Sequence, residues 1–194
     1  EASVKVLAKL GDRVPGEVIK DIAGRLWDDE HVREAAVDAL TVFKDRINDE
    51  VIKDIAGRLR DDKGYVRATA VEALAKLEDR IPEGVIKDIA GLLQDDEWYV
   101  RGAAVEALAK LEDRIPEGVI KDIAGRLRDD NRYARATAVK ALAVFKDRIP
   151  EGVIKDIAGR LRDDKWYVRE ASVKVLAKLG DRVPGEVIKD IAGR

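Results

Sequence analysis

The chain has 194 residues, of which 37 are Lys or Arg and 39 are Asp or Glu, so its formal net charge is only −2. A general binder of polyanions carries a clear basic excess, which this chain lacks. With no cysteine and one histidine, His31, disulfide frameworks and multi-histidine metal sites are excluded, and we expect no cofactor and no metal. No apolar run approaches the ~18 residues that a membrane span needs, so we expect no membrane association and a soluble, cytoplasmic protein.

Internal repetition determines the predicted fold. The hexapeptide Ile-Lys-Asp-Ile-Ala-Gly begins at Ile19, Ile52, Ile86, Ile120, Ile154 and Ile188, at intervals of 33, 34, 34, 34 and 34 residues. The short interval arises because the first loop, 28–32, is one residue shorter than its counterpart, 61–66. We therefore predict a single solenoid over 1–194 that contains an orphan second helix, five helix pairs and an orphan first helix, with boundaries at 1–14, 15–47, 48–81, 82–115, 116–149, 150–183 and 184–194.

Each repeat is predicted to contain two helices. The first begins at Pro82 in the third repeat, and its apolar residues fall on one stripe of a helix: Val85, Ile86, Ile89, Ala90 and Leu93. A polar turn over 94–97 ends it, and the second helix runs from about Trp98 to Leu111. A unit of this size cannot bury its apolar stripe alone, so the units must stack. The result is an all-α protein of about twelve helices.

The first and last 25 residues, 1–25 and 170–194, are identical in sequence. Solenoid termini normally differ from the interior because they need polar caps. We interpret the chain as a window from a longer array or as an engineered segment, and we expect its uncapped ends to associate.

The segment Leu59 to Leu74 resembles the HEAT repeat, particularly its phycobilin-lyase-like subclass; engineered helical repeat scaffolds and the arrays of NACHT-type signalling ATPases are similar. The resemblance implies a right-handed alpha-alpha superhelix whose second helices line the concave face. It also implies a structural ladder in which acidic and basic residues of successive units pair through charge-assisted hydrogen bonds. The ladder residues would be Asp28, Asp61, Asp95, Asp129 and Asp163 with Arg33, Arg67, Arg101, Arg135 and Arg169.

Variation between the units is concentrated on one stripe of the second helix, at positions four residues apart. Its first position is Gly, Trp or Arg in different units, so the core does not specify it and we expect it to be exposed. The first helices are nearly invariant even at exposed positions such as Lys20 and Lys53. A constant scaffold with a varied exposed stripe is typical of a binding surface, although drift of exposed positions is the simpler alternative. The predicted partner-binding residues are Gly64, Ala68, Glu72, Trp98, Gly102, Glu106, Arg132, Ala136, Lys140, Trp166, Glu170 and Lys174.

Aromatic residues cluster where the second helices begin. Tyr65, Tyr99, Tyr133 and Tyr167 recur every 34 residues and favour a stacking spine. Trp98 and Trp166 are expected to contact the partner, because exposed Trp is enriched among interface hot spots.

Three functions remain open. The favoured one is a non-enzymatic scaffold that binds a protein of unknown identity through the second-helix face; the alternative is a structural or designed segment that self-assembles end to end. Nucleic-acid binding is the third and is not expected, because Glu97, Glu106 and Glu170 weaken the positive field of the nearby lysines. The Asp-Asp pairs recur in every full-length loop, which indicates turn and cap roles rather than catalysis. Glycines inside the first helix, such as Gly57 and Gly91, are expected to permit either close helix approach or a kink.

Overall fold

The computed structural model describes residues 13–192, with side chains through residue 189. The chain forms two compact units, unit 1 (1–92) and unit 2 (93–194). All regular secondary structure of the described residues is helical, as predicted. The helices of unit 1 are α1 (Gly16–Gly24), α2 (Glu30–Val42), α3 (Asp49–Gly57), α4 (Gly64–Ala75) and α5 (Glu83–Gly91). Those of unit 2 are α6 (Trp98–Lys110), α7 (Glu117–Gly125), α8 (Arg132–Leu142), α9 (Glu151–Gly159), α10 (Trp166–Leu179) and α11 (Gly185–Ala192). The predicted orphan second helix, Ala2 to Leu10, lies outside the described residues.

The first helices begin after a proline. Pro82 occupies the N-cap with φ −61° and ψ 148°, and its carbonyl oxygen accepts the first helical hydrogen bond, from the Val85 amide at 2.9 Å. Proline therefore lies one residue earlier than the helical first turn where we expected it. Its fixed φ suits this position equally, and its missing N–H has no helical partner there. In α3 the proline is replaced by Asn48, whose side chain accepts from the Val51 amide at 2.9 Å.

The Asp-Asp turn joins the first helix to the second. The first helices α1, α3, α5, α7 and α9 end at a glycine and continue as a short 3-10 turn, for example Arg126–Arg128. The first Asp of the pair then folds the chain back, because its carboxylate accepts an amide two residues ahead; Asp129 accepts from the Asn131 amide at 2.9 Å. The terminal glycines Gly57 and Gly91 are exposed, and an added Cβ would meet nothing within 4 Å. The expectation of close helix approach at these glycines is therefore wrong.

The core of each unit consists of branched aliphatic residues from both helix types. In unit 2 the first helices contribute Ile120 and Ile154, and the second helices contribute Val105 and Val139, all at most 1% exposed. This arrangement is the predicted consequence of apolar stripes that need a neighbouring repeat to cover them.

One residue of the short turn that follows the second helix adopts a positive φ in four repeats: Glu78, Glu112, Lys146 and Gly180. Lys146 (φ 41°, ψ −114°) and Gly180 (φ 50°, ψ −121°) share a conformation that glycine adopts far more easily than a residue with a Cβ. Gly180 is thus suited to this turn, and Lys146 is strained.

Candidate functional site

The variable stripe of unit 2 lies on the solvent side of α6, α8 and α10. Glu106, Lys140, Glu170 and Lys174 are exposed, and Gly102 is half-buried. In unit 1, Glu72 is exposed and Gly64 is half-buried.

Two positions of the stripe differ from the prediction. Ala68 and Ala136 are buried, at 9% and 6% exposure, rather than presented to solvent. Both occupy the middle position of the stripe, where a one-carbon side chain leaves little area for a partner to contact. A larger residue at that position, such as Glu170, reaches solvent.

Two cavities open on the second-helix face of unit 2. The larger, of about 450 Å³, lies between α8 and α10 and includes Lys140, Glu170 and Lys174 in its lining. The smaller, of about 280 Å³, lies between α6 and α8 and includes Glu106 and Lys140. Lys140 borders both cavities, which therefore lie side by side along the exposed stripe. We call the residues that line the two cavities the second-helix face.

An aromatic row lies where α6, α8 and α10 begin. The ring centroids of Trp98 and Tyr133 are 5.6 Å apart, and Tyr133 stacks on Tyr167 at 5.8 Å with an interplanar angle of 11°. Arg132 lies over the Tyr133 ring at 4.9 Å. Trp166 contacts Tyr167 edge-on and remains 66% exposed, whereas Trp98 is 40% exposed. The stacked tyrosines therefore support two indoles that still present much of their surface to solvent.

Arg101 anchors the acid–base ladder in unit 2. Its guanidinium donates two hydrogen bonds to Asp129, at 2.7 and 2.6 Å, and one to Asp130 at 2.8 Å. It also donates to the backbone carbonyls of Asp95 and Asp96 at 2.9 and 3.0 Å. The side chains of Arg101 and Asp129 are only 9% and 1% exposed. The bonds to the two carbonyls close the Asp-Asp turn before α6, and the bonds to the two carboxylates join α6 to the turn of the next repeat.

Arg135 repeats this geometry one unit further on. It donates to Asp163 at 2.8 and 2.9 Å and to Asp164 at 2.7 Å, as well as to the carbonyls of Asp129 and Asp130. The hydrogen bonds with Asp163 raise the pKa of Arg135 above its ordinary value. For Asp129, burial opposes ionisation, but the hydrogen bonds from Arg101 and the Asn131 amide outweigh it, so the pKa of Asp129 lies below its ordinary value.

Arg67 and Arg169 likewise donate to the carbonyls of their own Asp-Asp turns at 2.8 to 3.2 Å. Arg33 differs: within the described residues it makes no hydrogen bond with its own turn carbonyls or with Asp61, and its guanidinium lies over the Tyr65 ring at 5.3 Å. Asp28 pairs instead with Arg25 at 3.3 Å. The predicted acid–base pairing at Arg33 is wrong, because the one-residue deletion in loop 28–32 changes the spacing from Asp28 to Arg33.

A second arginine ladder was missed by the sequence reasoning. Arg148 donates to the carbonyls of Glu112 and Ile115, and Arg182 donates to those of Lys146 and Ile149, one repeat earlier in each case. In unit 1, Arg80 donates to the Lys44 carbonyl in the same way. The signal was present as an Asp-Arg pair that recurs in every repeat before Ile or Val. These arginines bind carbonyls of the turn that follows the second helix of the preceding repeat, and so join consecutive repeats.

The rest of the described chain offers little other chemistry. No cluster of three or more His, Cys, Asp or Glu side chains that could hold a metal ion occurs among the described residues. His31 is exposed. No helix in the described range 13–192 has the length and apolar character to cross a membrane.

Comparison with solved structures shows the same fold in sequences of low identity. An engineered protein matches with 20% identity and a TM-score of 0.50, over 93% of this chain and 90% of that one. The complex of CpcE and CpcF of phycocyanin lyase from Nostoc sp. PCC7120 matches with 18% identity and a TM-score of 0.64, over 93% and 71%. The Cnd3–Cnd2 condensin subcomplex of S. pombe matches with 20% identity and a TM-score of 0.71, over 97% of this chain but 28% of that one.

A comparison with curated protein sequences finds no match. The family description of HEAT repeats, however, matches residues 52–121 and 120–193, which together cover most of the chain. HEAT repeats form helical solenoids that commonly act as scaffolds for protein interactions. The chain belongs to the HEAT repeat family.

Proposed function

We propose that this protein binds another protein through the second-helix face of unit 2, without catalysis. The observation that carries the proposal is the pair of neighbouring cavities bordered by Glu106, Lys140 and Lys174, at positions that differ between repeats. Its larger cavity, of about 450 Å³, falls within the range of ~300–1,000 Å³ typical of ligand sites. A varied, concave surface on a regular scaffold suits recognition of a specific partner.

The aromatic row supports the same surface. Trp166 is 66% exposed, and Trp98 is 40% exposed although it stacks on Tyr133. Burial of such indoles beneath a partner removes apolar area from water, and Trp is enriched among residues that dominate binding energy. Tyr133 and Tyr167 stack and hold the row in position, so the side chains lose little conformational freedom on binding.

Some structures with this fold are complexes, which supports a role in assembly. CpcE with CpcF and Cnd3 with Cnd2 are each solved as a complex of two proteins. At 18% and 20% identity these structures support the fold alone. The partner of this chain has to be inferred from the surface of the chain itself.

Selection of binding peptides from a random displayed library tests the proposal. For peptides selected on the intact chain, we expect the affinity to fall in each of the variants Trp98→Ala, Trp166→Ala and Lys140→Glu. Lys121→Glu makes the same charge change on the first helix α7, where Lys121 is 60% exposed, and should leave binding unchanged. Peptides that are sensitive to Lys121→Glu but not to the other three variants would contradict the proposal.

A second candidate function is association of one copy of the chain with another through α10 and α11. Val173 and Ile188 are 56% and 51% exposed, whereas their counterparts one repeat earlier, Val139 and Ile154, are 0% and 1% exposed. Internal repeats cover these positions with the following helix pair, and the sequence of 170–194 recurs at 1–25. A second copy therefore offers a matching surface.

Sedimentation over a range of protein concentrations tests this second candidate. We expect the average mass to rise with concentration and the rise to disappear in the double variant Val173→Lys, Ile188→Lys. The matched control is Val42→Lys, because Val42 is 43% exposed in α2 at a position where other repeats carry Lys. A constant monomer mass in the unsubstituted chain, or equal loss of association in the control, would contradict the candidate.

A further inference from the structure

The larger cavity of the second-helix face combines an apolar wall with a basic rim. Ala143, Ala171 and Val175 line it between α8 and α10, together with three lysines, Lys140, Lys174 and Lys178. A volume of about 450 Å³ accommodates one or two amino-acid side chains. The cavity can therefore hold an apolar side chain, with charged groups placed around its opening.

The rim carries uncompensated positive charge. Glu170 is the one acidic residue of the lining, and its carboxylate is paired with the Lys174 ammonium at 2.7 Å. Among the described residues, Lys140 and Lys178 form no ion pair with any carboxylate. Two positive charges thus remain beside the cavity in a chain whose net charge is −2. A ligand with carboxylates complements them.

Tyr167 forms part of the cavity wall, and its hydroxyl oxygen is buried without a hydrogen-bond partner among the described residues. Because that oxygen is inaccessible, the lysine ammonium groups are the hydrogen-bond donors that the cavity offers to a ligand. A carboxylate oxygen is the strong acceptor that satisfies the lysines.

We infer that the cavity between α8 and α10 binds an acidic peptide, in which an apolar side chain enters the cavity and flanking carboxylates contact Lys140 and Lys178. The inference rests on the proposed function and names the chemistry of the partner. The apolar wall favours a peptide over a polyphosphate.

A blocked pentapeptide with one leucine between pairs of glutamates is the probe, and its binding to the intact chain is measured by titration calorimetry at low salt. We expect Lys140→Gln and Lys178→Gln each to raise the Kd roughly three- to fivefold, as loss of one exposed ion pair predicts. The matched control is Lys87→Gln, on the first helix α5 of unit 1, where Lys87 is 73% exposed; its Kd should stay unchanged. A pentapeptide with glutamines in place of the glutamates should bind more weakly.

Equal binding of the glutamate and glutamine peptides, or insensitivity to both lysine substitutions, would overturn the inference. So would tighter binding of a single-stranded oligonucleotide that the acidic peptide fails to displace. The proposed function is tested separately by the library selection. Selected peptides that map to the second-helix face without any acidic preference would preserve that function and overturn this inference alone.

Discussion

The substitution Arg101→Met tests how strongly the buried ladder holds successive repeats together. It removes three hydrogen bonds to the carboxylates of Asp129 and Asp130 and two to the carbonyls of the turn before α6. Asp129, at 1% side-chain exposure, would keep only the Asn131 amide at 2.9 Å and a long contact with Arg126 at 3.4 Å. Loss of one partner from a buried ion pair costs about 3–5 kcal/mol. Because the remaining contacts compensate in part, we expect a loss near the lower end, about 3 kcal/mol.

Urea unfolding, followed by tryptophan fluorescence, measures the loss, and hydrogen exchange locates it in unit 2. The matched control is Arg33→Met, since Arg33 is the equivalent residue, but within the described residues its guanidinium lies over the Tyr65 ring at 5.3 Å and bonds no carboxylate. An exposed cation–π contact is worth about 0.5–1 kcal/mol, so the control should lose no more than that. Equal losses in the two variants would refute the reasoning that the ladder, rather than the arginine itself, provides the stability.

Three further predictions concern single residues. Because the pKa of Asp129 is lower in the folded state, its carboxylate contributes to the free energy of unfolding above about pH 4, and this contribution is lost as the pH falls through the folded pKa. Lowering the pH should therefore reduce the free energy of unfolding of Asp129→Asn less than that of the unsubstituted chain. Lys146→Gly should raise the free energy of unfolding by about 1 kcal/mol, and Gly180→Ala should lower it similarly, in urea titrations. Gly102→Ala should add about 0.5–1 kcal/mol, because its Cβ would meet nothing within 4 Å; no increase in the urea midpoint would contradict this.

Repetition made the fold predictable from sequence, because a 34-residue period with two apolar stripes has few solutions other than stacked helix pairs. The core residues followed from the same stripes: Ile86 and Ile89, taken from one repeat, are buried. Helix ends were less predictable, because proline at the N-cap and proline in the first turn have the same sequence signature.

The site was predicted only in part, because exposure depends on how neighbouring helices approach. Gly, Trp and Arg at one position correctly indicated solvent access at Trp98, Arg132 and Trp166. Alanine at the next position gave no such signal, and Ala136 is buried. The cavity between α8 and α10 depends on their separation, which no single repeat encodes.

Two of the invariant lysines of the first helices make ion pairs that sequence comparison alone did not reveal. Lys155 pairs with Glu186 at 2.6 Å, and Lys20 pairs with Glu50 at 2.8 Å, so exposed charges join consecutive first helices at these two places. The position equivalent to these glutamates is glycine in other repeats, for example Gly152, so the ion pairs do not account for the constancy of the lysine.

A solved complex of the chain with a library-selected binder would show whether the second-helix face of unit 2 is the binding surface. We expect contacts with Lys140 and Lys174 at the larger cavity and with the indole of Trp166 or Trp98. A binder seated on the first helices α7 and α9, with the second-helix face left free, would contradict this expectation.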